Sequence, residues 1–310
     1  MVEDNEIKAQ VSPFAIREGE IKTFDGKDGY VSMNQIVHKI NIGHITDIHF
    51  AILDLVNEFE FITSRQIYQM LEIKGIDPKS QDKLNNKLDA LVKSKILTRY
   101  YFTSDEGKGI YRIYCLEKMG KYLLTSKEVE CKWQPSDNTK PVPMIKKRLA
   151  GNQVLIAYLR KVKAFDGYVV KPAITAKTLG KVFKATGGSV KLSKNGKSIQ
   201  FLFEVFRREM DWQKKLVEKM NLYKDFYENF QPGDSGFTSL PQLIFVCEDE
   251  KHMAECFKEI VTNKVEIPQI KLMFTTDLRQ NKESLDETLV EFKLVDGKYK
   301  MEDVELKLLG

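Results

Sequence analysis

The segment Phe201-Leu202-Phe203-Glu204-Val205-Phe206-Arg207-Arg208 has the pattern of a buried strand that carries one acid in its middle. The turn dipeptide Asn195-Gly196 precedes it and predicts a hairpin with residues 189–193. A helix with an apolar stripe from Trp212 to Phe230 follows. Two short strands are predicted at residues 242–247 and 270–275, with a helix between them at 251–261. The turn dipeptide Asp296-Gly297 predicts a late hairpin. The order β-β-α-β-α-β predicts a mixed sheet flanked by helices.

The place of Glu204 in an apolar strand needs a physical reason. Such a carboxylate is typical of metal-dependent nucleases, where it joins an aspartate of the preceding strand and a lysine to hold Mg²⁺. The alternative is a strand glutamate that faces solvent or pairs with a basic neighbour such as Arg207. Such glutamates are the more common case in proteins, so frequency alone favours this alternative. Arg207 and Arg208, which end the segment, are candidate contacts to DNA phosphates.

A helical pattern begins at Thr46, upstream of this sheet, with apolar residues at spacings of three and four. Thr63 and Gln66 form the capping pattern of a short second helix, and Ser80 can cap a third one. Two strand-like runs and a further helix come next, at residues 96–102, 109–116 and 117–124. Three helices followed by a hairpin predict a winged helix-turn-helix.

The third helix of a winged helix-turn-helix enters the major groove, so its face opposite the leucines makes the base contacts. Lys83 and Asn86 lie on that face, where an amide can pair with adenine and an ammonium can reach guanine or phosphate. Asp82 and Asp89 would repel phosphates, which leaves open a winged helix that serves dimerisation. The other candidate DNA contacts here are Lys87 and Lys93 on the helix and Arg99, Lys108 and Arg112 on the wing.

Charge is segregated along the chain. Residues 146–200 hold thirteen Lys and Arg against one acid, Asp166, which gives this stretch +12 and leaves −7 for the remainder of a chain whose net charge is +5. A polyanion such as nucleic acid offsets the resulting self-repulsion. A solvated lysine-rich surface is the alternative. In the hairpin, Lys191, Lys194 and Lys197 are candidate contacts to DNA phosphates.

The 310 residues exceed the usual size of a single core, so more than one domain is expected. We predict an N-terminal arm at 1–43, the winged helix-turn-helix at 44–126, a linker at 127–143 and an α/β domain with a basic surface at 144–310. The linker assignment rests on a polar composition with Pro135, Pro141 and Pro143 and on the lack of a hydrophobic period.

Cysteine and histidine usage predicts no metal site and no cofactor. Cys115, Cys131, Cys247 and Cys256 form no CxxC pair, and the four histidines are dispersed, so we expect reduced thiols and no zinc. The acidic N-terminus is unlike a signal peptide, and no run of 18 apolar residues exists. We therefore expect a cytoplasmic protein that does not contact membranes.

Three motifs resemble the replication-relaxation proteins of Gram-positive plasmids and conjugative elements. They are the segment from Tyr111 to Leu124, similar to the family's Y-x-L-T-x-x-G-x-x-x-L, then Phe203-Glu204-Val205, and then Lys219 to Tyr223. The resemblance runs from about Ile45 to Leu278. It implies a winged helix joined to a domain similar to the PD-(D/E)xK nucleases, and an association with plasmid replication, relaxation of supercoiled DNA and transfer.

Glu204 matches the acid of the family's F-x-E-V-D, but Phe206 replaces the second acid. Lys219 and Tyr223 match the lysine and tyrosine of K-L-x-x-Y. The aspartate of the family's R-P-D would fall at Gly188-Ser189 or at residues 171–173, and neither position holds an acid. One carboxylate binds a divalent ion weakly. The resemblance therefore implies a degenerate nuclease-like fold, with Glu204 and Lys219 as its catalytic residues only if it is active.

These observations predict an α+β protein, a winged helix-turn-helix followed by a mixed-sheet, degenerate PD-(D/E)xK-like domain. Its predicted function is that of a non-catalytic DNA-binding accessory protein for plasmid or conjugative-element replication, relaxation or transfer. Double-stranded DNA is the expected partner, with replication or transfer proteins and a second copy of the chain as further candidates. The alternatives are a Mg²⁺-dependent endonuclease or nickase that uses Glu204, and a dimeric scaffold or transcriptional regulator.

Overall fold

A computed structural model describes residues 12–104, 107–162, 165–194, 196–281, 288–295 and 298–304, without the side chains of 107–110, 197, 281 and 298. Over these residues the chain forms eight α-helices, two larger sheets and a two-stranded hairpin, which confirms the predicted α+β class. None of the helices in these ranges is both long and apolar enough to span a bilayer.

The first half of the chain builds a helical cluster beside a four-stranded sheet of order β1-β3-β4-β2. Its helices are α1 (Met33–Asn41), α2 (Asp47–Phe59), α3 (Ser64–Ile73), α4 (Gln81–Lys93) and α5 (Lys118–Ser126). Its strands are β1 (Ile21–Phe24), β2 (Ile62–Thr63), β3 (Leu97–Ser104) and β4 (Gly107–Leu116). Strands β3 and β4 pair antiparallel, as the sequence predicts for the hairpin.

Side-chain caps fix where α3 and α4 begin. Thr63 accepts a hydrogen bond from the Gln66 amide at 3.2 Å, while the Gln66 side chain accepts one from the Thr63 amide at 3.1 Å. The Ser80 hydroxyl accepts from the Lys83 amide at 3.2 Å. Each bond satisfies an amide that lacks a partner inside its helix, so both predicted helix starts are confirmed.

The segment predicted as an arm contains two regular elements. Strand β1 pairs with the outer edge of β3, and Ser32 caps α1. The residues before β1 lie against the second half, where the Ser12 hydroxyl donates to Asp277 and the Ala15 carbonyl accepts from Lys146. Sequence periodicity missed both elements because β1 has four residues with mostly accessible side chains and α1 buries only Ile36.

The second half contains a seven-stranded mixed sheet of order β13-β12-β11-β10-β9-β8-β5. Its strands are β5 (Phe165–Val169), β8 (Gly188–Lys194), β9 (Lys197–Val205), β10 (Gln242–Cys247), β11 (Met273–Thr276), β12 (Val290–Val295) and β13 (Lys298–Asp303). A separate hairpin consists of β6 (Ala173–Ala176) and β7 (Lys181–Lys184). The helices are α6 (Val142–Lys161), α7 (Trp212–Glu228) and α8 (Glu250–Thr262).

The predicted β8–β9 hairpin is confirmed, although Asn195 of its turn lies outside the described residues. Strands β9, β10 and β11 are parallel, and the other pairings in this sheet are antiparallel. Strands β5, β6 and β7 were not predicted from the sequence pattern, because they are short and carry exposed residues. Residues 296–297 of the predicted late turn lie outside the described ranges, but β12 and β13 on either side do pair.

Strand β9 lies between two apolar cores because its side chains alternate between the faces of the sheet. Phe201, Phe203 and Val205 join the core that contains α6 and the N-terminal helices. Leu202 and Phe206 join the core that contains α7 and α8. By the same alternation, Glu204 points to the α7 face.

The two halves of the chain share one of these cores and are joined by buried hydrogen bonds. The side-chain amide of Gln66 in α3 donates to the Leu149 carbonyl of α6 at 2.8 Å. The side-chain amide of Asn152 donates to the Phe61 carbonyl at 2.7 Å. The predicted linker contains a 3-10 helix, Pro135–Thr139, from which Asn138 donates to the Leu116 carbonyl at 2.8 Å. The boundaries of the predicted domains stay predictions.

Candidate functional site

Glu204 is buried and its carboxylate is held by three side chains. The Thr186 hydroxyl donates to Oε1 at 2.7 Å, and the Tyr223 phenol donates to Oε2 at 2.6 Å. The Lys219 ammonium lies 3.4 Å from Oε2. The structure therefore brings together the three residues that the family motifs single out, Glu204, Lys219 and Tyr223. It adds Thr186, which no motif indicated.

Two glycines allow Thr186 to approach Glu204 this closely. A Cβ on Gly187 would lie 2.6 Å from the Cβ of Phe203, and a Cβ on Gly151 of α6 would lie 2.5 Å from the Thr186 carbonyl oxygen. The Thr186 hydroxyl also accepts a 2.9 Å hydrogen bond from the Val205 amide. The close backbone contact thus locks Thr186 onto β9 beside the carboxylate.

The side chains of Tyr223 and Lys219 are both held against the Glu204 carboxylate. Burial raises the pKa of Tyr223 well above 10, and the neighbouring Glu204 charge raises it further, so the phenol keeps its proton. Lys219 also donates to the Lys184 carbonyl at 2.7 Å and lies 4.8 Å from the centre of the Phe183 ring. These contacts fix the ammonium in place, with its side chain mostly covered.

The residues around Glu204 do not fit a Mg²⁺ site. Magnesium needs several oxygen ligands, normally more than one of them anionic. Among the described residues, the partners of the carboxylate are a hydroxyl and a phenol, which donate hydrogen bonds to it, and an ammonium, which pairs with it at 3.4 Å. A cation there would have to displace these donors and face the positive charge of Lys219.

The exposed face of α4 carries the predicted base contacts. Lys83, Asn86 and Lys93 are exposed and Lys87 is half-buried, whereas the leucines of the opposite face are buried. Over the described chain, none of these three lysines forms an ion pair. Asp82 is exposed on the same helix, so the face is of mixed charge.

The residues predicted to contact DNA from the wing differ in exposure and in ion pairing. Arg99 is not available, because its guanidinium pairs with Asp25 at 2.9 Å and with Asp89, and its side chain is only 14% exposed. Arg112 pairs with Asp25 at 3.0 Å but remains half exposed. The side chain of Lys108 lies outside the described residues.

The prediction that Arg207 and Arg208 contact DNA is wrong for Arg207 and weakened for Arg208. Arg207 is fully buried, and its Nη2 lies 2.8 Å and 3.0 Å from the two carboxylate oxygens of Asp277. Arg208 is enclosed by acids and bonds Asp249 at 2.6 Å. Both arginines hold the end of β9 against neighbouring elements and carry little uncompensated charge.

Acids from elsewhere in the chain neutralise much of the basic stretch 146–200. The cations Lys146, Lys147, Lys171 and Lys177 pair with Glu20, Glu209, Glu60 and Asp234 respectively. Lys191 pairs with Asp166 at 2.9 Å, Lys194 is exposed, and the side chain of Lys197 lies outside the described residues. The charge segregation seen in the sequence is thus partly an internal complementarity between distant segments.

Three potential metal ligands that the sequence spacing did not reveal meet in the second half. The donor atoms of Cys247, His252 and Cys256 lie within 4.8 Å of one another, and all three residues are buried. Within the described ranges this group has three donors, one fewer than a structural zinc site normally uses. The Glu248 amide lies 3.3 Å from Nδ1 of His252. We interpret the group as packed core residues.

The family model described as replication-relaxation matches residues 53–240, more than half of the chain. No curated protein matches the sequence. Among solved structures, that of the restriction endonuclease FokI is similar, at 10% sequence identity and a TM-score of 0.28. The match covers 75% of this chain and 42% of that chain.

Proposed function

The chain belongs to the replication-relaxation family, whose model covers residues 53–240, and from this premise we propose a non-catalytic DNA-binding function. The protein binds double-stranded DNA as an accessory factor in the replication, relaxation or transfer of a plasmid or conjugative element. Its first half acts as a winged helix-turn-helix, and its second half is a degenerate nuclease-like domain.

The observation that carries this proposal is the free face of α4. Lys83, Asn86 and Lys93 are exposed and, in the described chain, make no ion pair with neighbouring acids. Helix α4 follows α2 and α3 and precedes the β3–β4 hairpin, which is the position of a recognition helix. Side chains of this chemistry can read base edges and contact phosphates.

The second half adds modest electrostatic attraction. Lys181, Lys184 and Lys194 are exposed and form no ion pair over the described ranges, unlike Lys171 and Lys177. Each phosphate that one of them neutralises adds about 0.9 to the slope of log affinity against log salt concentration.

Selection of bound duplexes from a random DNA pool, followed by titration of the selected site, tests the proposal. Lys83→Ala and Asn86→Ala should each weaken specific binding by about 1 to 3 kcal/mol, the range of one base-edge contact. Lys251→Ala is the matched control, because this lysine is exposed on α8, far along the chain from α4. Unchanged affinity in the Lys83→Ala/Asn86→Ala double variant would remove α4 from the interface, and a selection that enriches no sequence would favour a scaffold.

One observation supports the alternative of a Mg²⁺-dependent nickase, namely the proximity of Glu204 and Lys219 at 3.4 Å. An acid and a lysine are two of the groups that such a site needs. The partners of Glu204 among the described residues, however, include the Thr186 hydroxyl and no second acid.

A further inference from the structure

A polar cleft of about 290 Å³ opens between the two halves of the chain and the segment that joins them. Its volume lies just below the range for ligand pockets, about 300 to 1,000 Å³, so it suits one small molecule and excludes a duplex. The wall combines aromatic and charged side chains, among them Glu60, Phe61, Trp133, Lys140, Lys171 and Lys184.

Three cations converge on Glu60, of which Lys140 and Lys171 line the cleft and Arg148 is buried behind its wall. Lys171 contacts one oxygen of the carboxylate. Lys140 and Arg148 lie 3.8 Å and 4.0 Å from the other oxygen. An anion surrounded by two ammonium groups and a guanidinium is the arrangement with which proteins bind phosphate.

The backbone at Glu60 is strained in a way that keeps the carboxylate in this position. Glu60 has φ 65° and ψ −60°, and the Phe61 amide donates to the Phe59 carbonyl at 2.8 Å, which makes Glu60 the centre of a rare positive-φ γ-turn. A non-glycine residue in such a conformation is strained and persists only where its surroundings hold it. A glycine would relieve this strain, but it would leave the three cations without their shared acid.

Positive charge exceeds negative charge around the cleft. Asp137 pairs with Lys140 at 2.9 Å, so the three cations face two carboxylates, and Lys184 has no ion pair in the described chain. Burial lowers the pKa of Arg148 to about 10. Burial and the like charge of Arg148 also lower the pKa of Lys171. The charged forms of Arg148 and Lys171 would be stabilised by a further anion, or by one of higher charge.

We propose that this cleft binds the phosphate of a single nucleotide, either free or at the end of a DNA strand, and that the Glu60 carboxylate occupies the phosphate position beforehand. Trp133, a partly exposed indole beside these cations, matches a ligand that has a base at one end and a phosphate at the other. The strand-end form rests on the DNA-binding function proposed above, whereas the free-nucleotide form does not.

Trp133, one of two tryptophans, lies in the wall of the cleft and serves as a fluorescent reporter once Trp212→Phe has removed the other. The protein is titrated at constant ionic strength with a nucleoside 5′-monophosphate, with the same nucleoside lacking phosphate and with inorganic phosphate. We expect saturable binding of the monophosphate, weaker binding of inorganic phosphate and no binding of the nucleoside. Short single strands with and without a 5′-phosphate then separate the strand-end form from the free-nucleotide form.

Charge-removing variants identify the groups involved. Lys171→Gln and Lys140→Gln should each weaken nucleotide binding about tenfold, and Glu60→Gln should strengthen it about tenfold, since it removes the competing charge without changing the side chain's size. Lys251→Gln is the control, because this lysine is exposed on α8 and does not line the cleft. If Glu60→Gln fails to fold, the wild-type and Lys171→Gln titrations decide the question.

No response to the monophosphate in the wild-type protein would overturn the proposal, as would equal binding by Lys171→Gln. Equal affinity for inorganic phosphate and nucleotide would contradict the nucleotide part. Duplex binding measured on the same preparations keeps the two proposals apart. Loss of α4-dependent duplex binding with intact nucleotide binding refutes only the DNA-binding function, and the reverse result refutes only the cleft.

Discussion

Tyr223 of α7 donates a 2.6 Å hydrogen bond to the carboxylate of Glu204 on β9, and both residues are buried. The phenol occupies one carboxylate oxygen, and the Thr186 hydroxyl occupies the other. A carboxylate that is saturated by donors in this way joins the helix to the sheet and has little capacity left for a cation. The partners of Glu204 therefore give this lone acid of an apolar strand a structural role.

We predict that supercoiled plasmid is not nicked or cut by the protein in Mg²⁺ or Mn²⁺, because the partners of Glu204 are donors and a second acid is missing from them. The measurement is conversion of supercoiled to open-circular plasmid on a gel. Metal-dependent nicking that disappears in Glu204→Gln would promote the nickase alternative.

Tyr223→Phe should lower the free energy of unfolding by about 1 to 3 kcal/mol, since it removes the short hydrogen bond to Oε2 of a buried carboxylate and leaves that oxygen only the Lys219 ammonium at 3.4 Å. Denaturant titration measures this change. Tyr30→Phe is the control, because Tyr30 is 81% exposed and its hydroxyl can bond water in both states. A loss no larger than that of the control would mean that the hydrogen bond contributes nothing to stability.

The Arg207–Asp277 pair predicts a strong asymmetry between single and double variants. Arg207→Met leaves a buried carboxylate uncompensated and should cost about 3 to 5 kcal/mol, whereas Arg207→Met with Asp277→Asn should recover much of that loss. Thermal or chemical unfolding of the two single variants and the double variant gives the coupling energy. Additive losses would show that the two charges are not coupled.

His252 predicts a specific acid sensitivity. Burial lowers its pKa from 6.5 to about 3, so below pH 6.5 the unfolded chain binds a proton that the folded chain does not. Stability contributed by the neutral imidazole is thus complete above pH 6.5 and is lost as the pH falls towards about 3. The slope is at most about 1.4 kcal/mol per pH unit.

Comparison of His252→Asn with the exposed control His38→Asn isolates this effect. The difference in unfolding free energy between wild type and His252→Asn should shrink as the pH falls from 6.5 towards about 3, while that for His38→Asn should change less. Parallel pH profiles for the wild type and His252→Asn would contradict the assignment.

The sequence determined the elements whose signals are local. The Thr63 and Ser80 caps depend on residues three positions apart, and the hairpin that ends in β9 depends on a two-residue turn and on alternating apolar side chains. The family motifs also identified Glu204, Lys219 and Tyr223 before any contact between them was known. Local geometry decides such features, so short windows of sequence suffice to predict them.

Only the tertiary structure decided which basic side chains are paired with acids and which face solvent. Arg99, Arg207 and Arg208 have the chemistry of DNA contacts, but Asp25, Asp277 and Asp249 neutralise them. The cleft around Glu60 likewise joins residues far apart in the sequence. Whether a cation meets an acid or solvent depends on how the sheet, α6 and the N-terminal segment pack. Because Coulomb interactions act through space with no periodicity along the chain, no sequence pattern records these pairings.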